Sequence, residues 1–252
     1  MRIVSIIQAR SGSSRLPDKI FARISGQPLL YHVVERIRAS RNCDELIIAT
    51  TEEQADDLVE DFAKAQNVRC FRGSTKNVLT RFYNAARDTD ADIIARVTAD
   101  DACKDPELLD HLIVELMERK YDYICNNQPP SYPEGLDLEA FTFQALEKTH
   151  REARLDYQRE HVTPYMRENS DLFKTHNVAN DRDLSHMRWT IDTSADLEFA
   201  REIYRHLYRK GKVFLMNDVL KLLERNPVVK DLMPKVERDW GLRISKENEA
   251  NH

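Results

Sequence analysis

Hydrophobic residues in the first half of the chain form short apolar runs, separated by longer stretches with helical spacing. The apolar runs predict strands, and the stretches between them predict amphipathic helices. The predicted strands are residues 2–7, 45–51, 68–71, 92–97 and 121–125. The predicted helices are residues 29–40, 52–66, 77–88 and 105–120. This alternation is typical of βαβ units on a parallel sheet that is covered on both faces, and so of an α/β protein.

The pattern changes after residue 125. Residues 126–135 are rich in Pro and Asn and predict a loop. The later predicted elements are a strand at 136–143 that runs antiparallel, a core strand at 187–192, and a helix at 194–211 that Ser194 caps and Gly211 ends. With no low-complexity linker and no internal repeat, we expect one domain over residues 1–252.

Composition and charge exclude several classes of protein. The formal net charge is −5 and the sequence pI is about 5.9, which argues against nucleic acid as a partner. No apolar run reaches the roughly eighteen residues that span a membrane, so we expect no membrane insertion. The four cysteines are widely spaced, and the N-terminus lacks a signal-peptide pattern. Both features predict a cytoplasmic protein with reduced thiols.

The loop after the first strand is rich in positive charge and hydroxyl groups. Arg10, Arg15 and Lys19 lie within ten residues of one another. Ligands of parallel α/β sheets bind beyond the carboxyl ends of the strands, so Arg10, Arg72 and Asp100 are expected to converge on one crevice. Two arginines and a lysine would suit an extended polyphosphate. The alternative is a solvated surface loop whose charges have no ligand.

Six stretches of the chain resemble one family in the same order. They are "IIQARSGSSRLPDKIF" (6–21), "CFRGSTKNVLTRFYNAA" (70–86), "RVTADDACKDP" (96–106), "YPEGLDLEAFTFQALE" (132–147), "REHVTPYMRE" (159–168) and "RWTIDTSADLEF" (188–199). The family is that of the cytidylyltransferases, in particular its spore coat polysaccharide biosynthesis F-type branch. Its relatives are 3-deoxy-manno-octulosonate (Kdo) cytidylyltransferase and acylneuraminate cytidylyltransferase.

The resemblance implies a fold and a reaction. The fold would be a Rossmann-like, GT-A-like nucleotidyltransferase, with a mostly parallel central sheet flanked by helices. Residues 126–180 would form a smaller inserted β/α excursion for acceptor binding and dimer contact. The reaction would transfer CMP from CTP to an acidic sugar for a surface polysaccharide or glycoconjugate, with release of pyrophosphate. The implied cofactor is Mg²⁺ and the implied assembly a homodimer.

Two alternatives stay open. The same fold could use another nucleotide or a phosphonate acceptor, or the chain could be a non-catalytic paralogue that binds nucleotide sugars. Retention of the cationic loop, Asp100 and Asp192 argues against the second alternative.

The resemblance also assigns roles to residues. The implied catalytic residues are Arg10, Lys19 and Asp100, and the implied metal ligands are Asp100 and Asp192. The implied nucleotide-binding residues are Gln8, Ala9, Arg10, Ser11, Gly12, Arg15, Lys19, Arg72, Gly73, Ser74 and Thr98. The implied acceptor-binding residues are Glu134, Gly135, Asp137, Glu139, Arg159, Glu160 and His161.

Some positions depart from the family pattern or allow two interpretations. Ala99 stands where the branch usually has glycine, and Asp101 where it usually has cysteine. Asp101 would then assist the metal or face solvent. Arg81 either contacts the base or is a surface charge of its helix. Asp105 and Asp196 are expected to cap helices or to lie in solvated turns.

Overall fold

A computed structural model describes residues 1–13, 15–236, 238, 243, 245–247 and 249. Its core is a seven-stranded sheet with the order β5-β4-β1-β6-β8-β7-β9. The strands are β1 Ile3–Gln8, β4 Glu45–Thr51, β5 Arg69–Gly73, β6 Ile93–Thr98, β7 Tyr123–Cys125, β8 Glu139–Thr142 and β9 Thr175–Asn177, while β2 Arg23–Ile24 and β3 Gln27–Pro28 form a separate hairpin. All pairs in the large sheet are parallel except those of β8, which runs antiparallel to β6 and β7. The predicted α/β class with a mostly parallel sheet is therefore confirmed.

The helices cover both faces of this sheet. They are α1 Leu29–Arg38, α2 Asp57–Ala65, α3 Val78–Arg87, α4 Pro106–Arg119, α5 Phe143–Glu152, α6 Asp156–His161, α7 Pro164–Glu168, α8 Ser194–Leu207, α9 Met216–Arg225 and α10 Pro227–Asp231. Within the described residues, none of them is long and apolar enough to cross a membrane.

Strand β1 lies inside the sheet, between β4 and β6, and contributes side chains to both hydrophobic cores. Its side chains alternate between the faces of the sheet, as the pleat requires. Ile3 and Ile7 join the cluster formed with α1, α4 and α8, whereas Val4 and Ile6 join the cluster formed with α3 and α5. Burial of each such side chain contributes about 1.5–3 kcal/mol. Both faces of β1 are therefore mainly apolar, with Ser5 as a buried polar residue within the strand, and Gln8 lies at the strand end, where the loops meet.

Several predicted elements differ from the structure. Residues 187–192 do not form a strand; they make one isolated bridge, between Arg188 and Glu134, although Trp189 and Ile191 are buried as expected. Helix α8 is capped by Thr193 rather than Ser194, and it ends at Leu207 because Tyr208 is extended.

The second half of the chain is also more closely tied to the sheet than the pattern suggested. Of the predicted strand at 136–143, only residues 139–142 pair, in the expected antiparallel sense, because Thr142 caps α5. Strand β9 was not predicted, and neither were α9 and α10. Residues 126–180 thus contribute β8 and β9 to the main sheet.

Candidate active site

A cleft of about 1030 Å³ opens at the carboxyl ends of β1 and β6. The chain runs outward from β1 to β4 and β5 on one side and returns to β6 on the other, so this is the switch point at which open α/β sheets bind ligands. The sequence-predicted residues that line the cleft are Gln8, Arg10, Gly12, Arg15, Lys19, Thr98, Asp100, Arg159, Glu160, His161 and Asp192. The structure therefore brings together the cationic loop, both candidate metal ligands and part of the predicted acceptor site.

The loop after β1 is anchored by a carboxylate that the sequence analysis missed. Asp56 is buried at the end of a short 3-10 helix after β4, and its Oδ1 accepts a hydrogen bond from the Ser11 backbone N–H at 2.7 Å. Burial alone would raise the pKa of Asp56, but hydrogen bonds from Thr51 and Ser11 lower it. An ionised Asp56 therefore holds the start of the loop against the neighbouring strand connection. Its only sequence signal is that it follows the strand next to β1.

Lys19 joins the two candidate metal ligands. Its Nζ donates to Asp100 Oδ2 and to Asp192 Oδ1, both at 2.8 Å, and to the Ile191 carbonyl oxygen at 3.1 Å. Arg15 adds a second cation, with its Nη2 3.0 Å from Asp192 Oδ1. Two carboxylates from distant parts of the chain thus converge on one position, which a single positive charge fills.

This cluster perturbs the charges of its members. Burial opposes ionisation of Asp100, but the charge and hydrogen bond of Lys19 outweigh it and lower the pKa of Asp100 to about 2. Burial likewise disfavours the Lys19 ammonium, yet Asp100 and Asp192 keep the pKa of Lys19 above its ordinary value. Asp100 is therefore a weak base, suited to holding a cation rather than taking up a proton.

The same oxygen atoms fit a divalent cation. Mg²⁺ prefers one or two carboxylates together with phosphate oxygens and water. Asp100, Asp192 and the Ile191 carbonyl offer only oxygen donors, and all three already surround one cation-sized position. Among the described residues there is no cluster of three or more His, Cys, Asp or Glu side chains that could hold a metal by itself. The donor set suits an ion that arrives with phosphate.

Arg188, which the sequence analysis did not single out, fixes the position of Asp192. The guanidinium is buried and donates to Asp192 Oδ2 at 3.1 Å, to Asp196 Oδ1 at 2.9 Å and to Glu134 Oε2 at 2.7 Å. Asp196 also completes a capping box with Thr193 at the start of α8. The expected capping role of Asp196 is thus only part of its structural role, whereas Asp105 caps α4 as predicted.

Asp101 is not part of the Lys19 cluster, which consists of Lys19, Asp100 and Asp192, and it does not face solvent. It is buried, and its Oδ2 accepts from Thr98 Oγ1 at 2.6 Å and pairs with Lys104 Nζ at 2.7 Å. Burial and the neighbouring Asp100 raise the pKa of Asp101, although Lys104 opposes that shift. The extra carboxylate of this chain is therefore part of a buried ion pair behind the cleft.

Five predicted nucleotide-binding residues do not line the cleft. Arg72 is turned towards α2, where its Nη1 pairs with Asp57 and Glu60 and its Nε donates to the Thr51 carbonyl. The others serve the local structure: Ala9 lies in the core, Ser11 Oγ donates to the Ala55 carbonyl, a Cβ at Gly73 would lie 3.3 Å from Arg81 Cγ, and Ser74 Oγ accepts from the Asn77 N–H. The expected convergence of Arg72 with Arg10 and Asp100 is wrong, because acidic residues of α2 bind the Arg72 guanidinium.

The predicted acceptor residues divide into two groups. Arg159, Glu160 and His161 line the cleft from α6. Ser245 Oγ lies 3.0 Å from His161 Nε2 and donates to Glu160 Oε2 at 3.0 Å, so the described part of the C-terminal segment also borders the cleft. Burial, reinforced by Arg96 and Arg167, lowers the pKa of His161 to about 4 against the opposing effect of Glu160. His161 is therefore neutral near pH 7.

The other four predicted acceptor residues lie behind the cleft wall. Glu134 pairs with Arg188, Asp137 pairs with Arg238, and the buried Glu139 pairs with Arg96 and accepts from the Tyr123 and Thr163 hydroxyls. Gly135 has φ +101°, and a Cβ there would lie 2.6 Å from the Thr190 backbone nitrogen. These residues connect the 132–139 segment to its neighbours because their charges and backbone meet partners inside the protein. Their predicted direct role in acceptor binding is not supported by their positions.

One wall of the cleft comes from residues 75–78, to which the sequence analysis gave no role. Thr75, Lys76, Asn77 and Val78 line it at the start of α3, followed by Arg81 one turn later. Arg81 is almost fully buried, so the alternative of a surface charge on α3 is wrong.

An α/β sheet with a cationic loop and paired carboxylates at its switch point has the architecture of a nucleotidyltransferase. Residues 4–221 match the family model of the cytidylyltransferases. The chain is 36% identical over 242 residues to an uncharacterized protein of Methanocaldococcus jannaschii, covering 94% of this chain and 96% of that one. It is 35% identical over 234 residues to the spore coat polysaccharide biosynthesis protein SpsF of Bacillus subtilis, covering 89% and 95%.

A solved structure shows the same likeness in three dimensions. A cytidylyltransferase from Leptospira borgpetersenii superposes with a TM-score of 0.87 at 34% identity, over 91% of this chain and 96% of that one. The chain belongs to the cytidylyltransferase family and is a nucleotidyltransferase.

Proposed function

We propose that this protein transfers CMP from CTP to an acidic sugar of the Kdo or sialic acid type and releases pyrophosphate. The observation that carries the proposal is the cluster of Lys19, Asp100 and Asp192, which faces the cationic loop in one cleft. The name of the Bacillus subtilis relative supports a role in making a surface polysaccharide or glycoconjugate.

Asp100 and Asp192 would hold Mg²⁺ together with the nucleotide phosphates. When bound, the ion would offset the negative charge that gathers on the phosphates as the reaction proceeds. The fit rests on the oxygen donors that already converge on Lys19 Nζ.

The cations of the loop would act on the triphosphate. Arg10 lines the cleft and is exposed to it, while Arg15 and Lys19 lie against the carboxylates. On CTP binding, Arg15 and Lys19 would contact phosphate oxygens. An acceptor hydroxyl oxygen then forms a bond to the α-phosphorus, the bond from that phosphorus to the bridging oxygen breaks, and pyrophosphate leaves. The hydroxyl proton passes to a carboxylate or to water. Positioning and charge neutralisation supply most of the catalysis in such a transfer.

The acceptor would bind at the α6 side of the cleft. Arg159 is the cation at this end and would pair with the acceptor carboxylate, as guanidinium groups do. Glu160 and the neutral imidazole of His161 would bind acceptor hydroxyls, competing with Ser245 for their hydrogen bonds. This arrangement favours a polar, anionic acceptor over an apolar one.

An assay in which both the nucleotide and the acceptor are varied tests the proposal. Pyrophosphate release is measured with CTP, UTP, ATP and GTP, each with Mg²⁺ and with 2-keto sugar acids, neutral sugars or phosphonates, and products are identified by mass spectrometry. We expect turnover with CTP and a 2-keto sugar acid. Turnover with UTP or ATP but not CTP would contradict the nucleotide assignment, and turnover only with neutral sugars or phosphonates would contradict the acceptor class.

The metal assignment has its own test. Asp100→Ala should abolish the Mg²⁺ dependence of CTP binding measured by calorimetry, whereas the control Asp61→Ala, at an exposed position on α2, should retain it. Unchanged Mg²⁺ dependence in Asp100→Ala would show that the ion binds elsewhere. We also expect a homodimer by analogy with the family, which light scattering of the purified protein would detect.

A further inference from the structure

Glu139 lies on β8 behind the cleft and connects that strand to β6, β7 and the start of α7. It is 4% exposed, and its Oε2 pairs with the Arg96 guanidinium of β6. Its Oε1 accepts hydrogen bonds from the Tyr123 hydroxyl of β7 at 2.5 Å and from the Thr163 hydroxyl, directly before α7, at 2.7 Å. Burial disfavours the ionised carboxyl, but Arg96, Arg167 and the two hydroxyls together lower the pKa of Glu139 to about 2. Glu139 is therefore a permanent negative charge inside the protein.

The connection between α6 and α7 has a rare backbone conformation. Val162 has φ +71° and ψ −54°, and the Thr163 N–H donates to the His161 carbonyl oxygen at 2.8 Å. These features define a γ-turn with positive φ, which is rare and strained. A β-branched residue such as Val162 makes the conformation more unfavourable still. A strained turn of this kind persists only where the surrounding structure holds it.

The Thr163 side chain supplies such a hold. A threonine directly before a helix commonly caps it, by accepting a hydrogen bond from a backbone N–H. The Thr163 hydroxyl makes no cap of this kind and donates to Glu139 instead. Thr163 is almost fully buried, so water does not compete for this hydrogen bond. The hydrogen bond therefore fixes the γ-turn to the sheet.

The γ-turn in turn determines the position of one wall of the cleft. His161 is the last residue of α6, and it lines the cleft together with Arg159 and Glu160. The same network reaches the end of β1, because Arg96 Nη2 donates to Oε1 of the cleft residue Gln8 at 3.4 Å. A buried carboxylate that does not line the cleft is thus attached to two parts of its wall.

We propose that Glu139 is a positioning residue, which holds the γ-turn through Thr163 and so keeps the end of α6 in the arrangement that binds the acceptor. This inference rests on the proposed function, which places the acceptor at α6. Loss of the connection should weaken binding of the acceptor. It should affect CTP much less, because the Lys19 cluster and the cationic loop are not attached to this turn.

Two substitutions that each remove one hydroxyl from the same carboxylate oxygen test the proposal. Thr163→Val keeps the β-branched shape and deletes the hydrogen bond that holds the γ-turn. Tyr123→Phe is the matched control, because Tyr123 is equally buried and donates to the same Glu139 Oε1 from β7. Thr163→Ser keeps the hydroxyl and is the conservative variant that should restore function. The KM and kcat are measured separately for the acceptor and for CTP, and circular dichroism melts establish that each variant is folded.

We expect Thr163→Val to raise the KM of the acceptor about tenfold, the order expected for one hydrogen bond to a charged group, and to change the KM of CTP by less than about twofold. Tyr123→Phe and Thr163→Ser should both keep the KM of the acceptor close to that of the wild type. Equal effects of Thr163→Val and Tyr123→Phe would overturn the inference, by showing that any loss of a hydrogen bond to Glu139 has the same result. An unchanged KM of the acceptor, or an equal rise in both KM values, would also overturn it.

Failure of the proposed function gives a different pattern. A wild type that uses another nucleotide or another class of acceptor contradicts the function itself, and the two KM values are then measured with the substrates that it does use. If the wild type turns over no acceptor, an NMR titration of the His161 imidazole decides instead. Its pKa is lowered to about 4, mainly by burial. Release of the end of α6 in Thr163→Val should raise this pKa towards 6.5 while Tyr123→Phe leaves it unchanged, and an unchanged pKa in Thr163→Val would overturn the inference.

Discussion

Replacement of Lys19 by methionine tests the central feature of the cleft. Methionine keeps an unbranched side chain but removes the ammonium that joins Asp100 to Asp192. The variant leaves two carboxylates facing each other in a partly buried site, where Arg15 and Arg188 still contact Asp192 but Asp100 has lost its ion pair with Lys19. We therefore expect the metal-free variant to be less stable than the wild type at pH 7.

The size of the effect follows from the pKa of Asp100. The folded protein lowers that pKa from 3.8 to about 2, chiefly through Lys19 against the opposing effect of burial. At about 1.4 kcal/mol per pKa unit, the shift corresponds to about 2 kcal/mol of stability. Burial disfavours the ionised form of Asp100, and without Lys19 this effect is no longer opposed by a nearby charge. The free energy of unfolding should therefore fall by at least this amount. For a protein of this size, the melting temperature should drop by about 4–8 °C.

The lowered pKa of Asp100 also determines how the stability depends on pH. A carboxylate with a lowered pKa contributes stability above its unfolded pKa and loses it as the pH falls towards the folded value. In Lys19→Met, burial should raise the pKa of Asp100 above 3.8. The stability gap between the two proteins should therefore be widest near pH 7 and should narrow by up to about 1.4 kcal/mol per pH unit below the raised pKa.

Urea unfolding in EDTA between pH 7 and pH 4 measures both quantities. Lys64→Met is the matched control, because Lys64 is exposed and, within the part of the chain that the structure describes, forms its ion pair with Glu60 of its own helix, a pair worth well under 1 kcal/mol. Added Mg²⁺ should raise the melting temperature of Lys19→Met more than that of the wild type, since the two carboxylates then lack their cation. A variant as stable as the wild type at pH 7, with a gap that does not change with pH, would refute this reasoning.

Three further changes test other parts of the site. Arg188→Met should lower the free energy of unfolding, measured in urea, by about 3–5 kcal/mol, because three carboxylates lose their buried cation. Arg188→Lys should recover part of this loss. A loss below about 1 kcal/mol would show that the ion pairs contribute little to stability. Asp56→Ala should weaken CTP binding about tenfold in calorimetry, because the Ser11 N–H loses its anchor and the loop is no longer held; unchanged affinity would exclude that role. His161→Gln should leave the shape of the pH–rate profile between pH 6 and pH 8 unchanged, because the lowered pKa of His161 keeps it neutral there. The wild type should lose stability relative to this variant as the pH falls from 6.5 towards 4, since His161 then takes up a proton in the unfolded chain but stays neutral in the folded protein.

The fold could be predicted from the sequence for elements whose two faces have the same surroundings. Strands β1, β4 and β6 are apolar on both faces, so their sequence pattern has a single solution in a covered parallel sheet. Residues 187–192 alternate polar residues with the buried Trp189 and Ile191, but they make one isolated bridge, to Glu134, rather than a strand. Burial can be inferred from such a run, whereas its hydrogen-bond partner depends on distant parts of the chain.

The site shows a similar limit. The strand-end rule places Arg10 and Asp100 correctly, because both follow central strands that end at the cleft. It fails for Arg72, which lies near the carboxyl end of β5 but meets Asp57 and Glu60 on the neighbouring helix. Whether an arginine faces a ligand or a carboxylate depends on the charges that pack beside it. For the same reason the roles of Arg188 and Asp56 become visible only when their partners are in place.

The pairing pattern of the cleft indicates how its two ends contribute to binding. At the phosphate end, Lys19 and Arg15 already have carboxylate partners, so each must exchange one set of ion pairs for another when a triphosphate binds. The net gain from such an exchange is small, although it places cations beside the bonds that change. At the α3 end, Arg81 has no carboxylate partner to give up among the described residues. We therefore expect the phosphate end to contribute more to catalysis than to affinity.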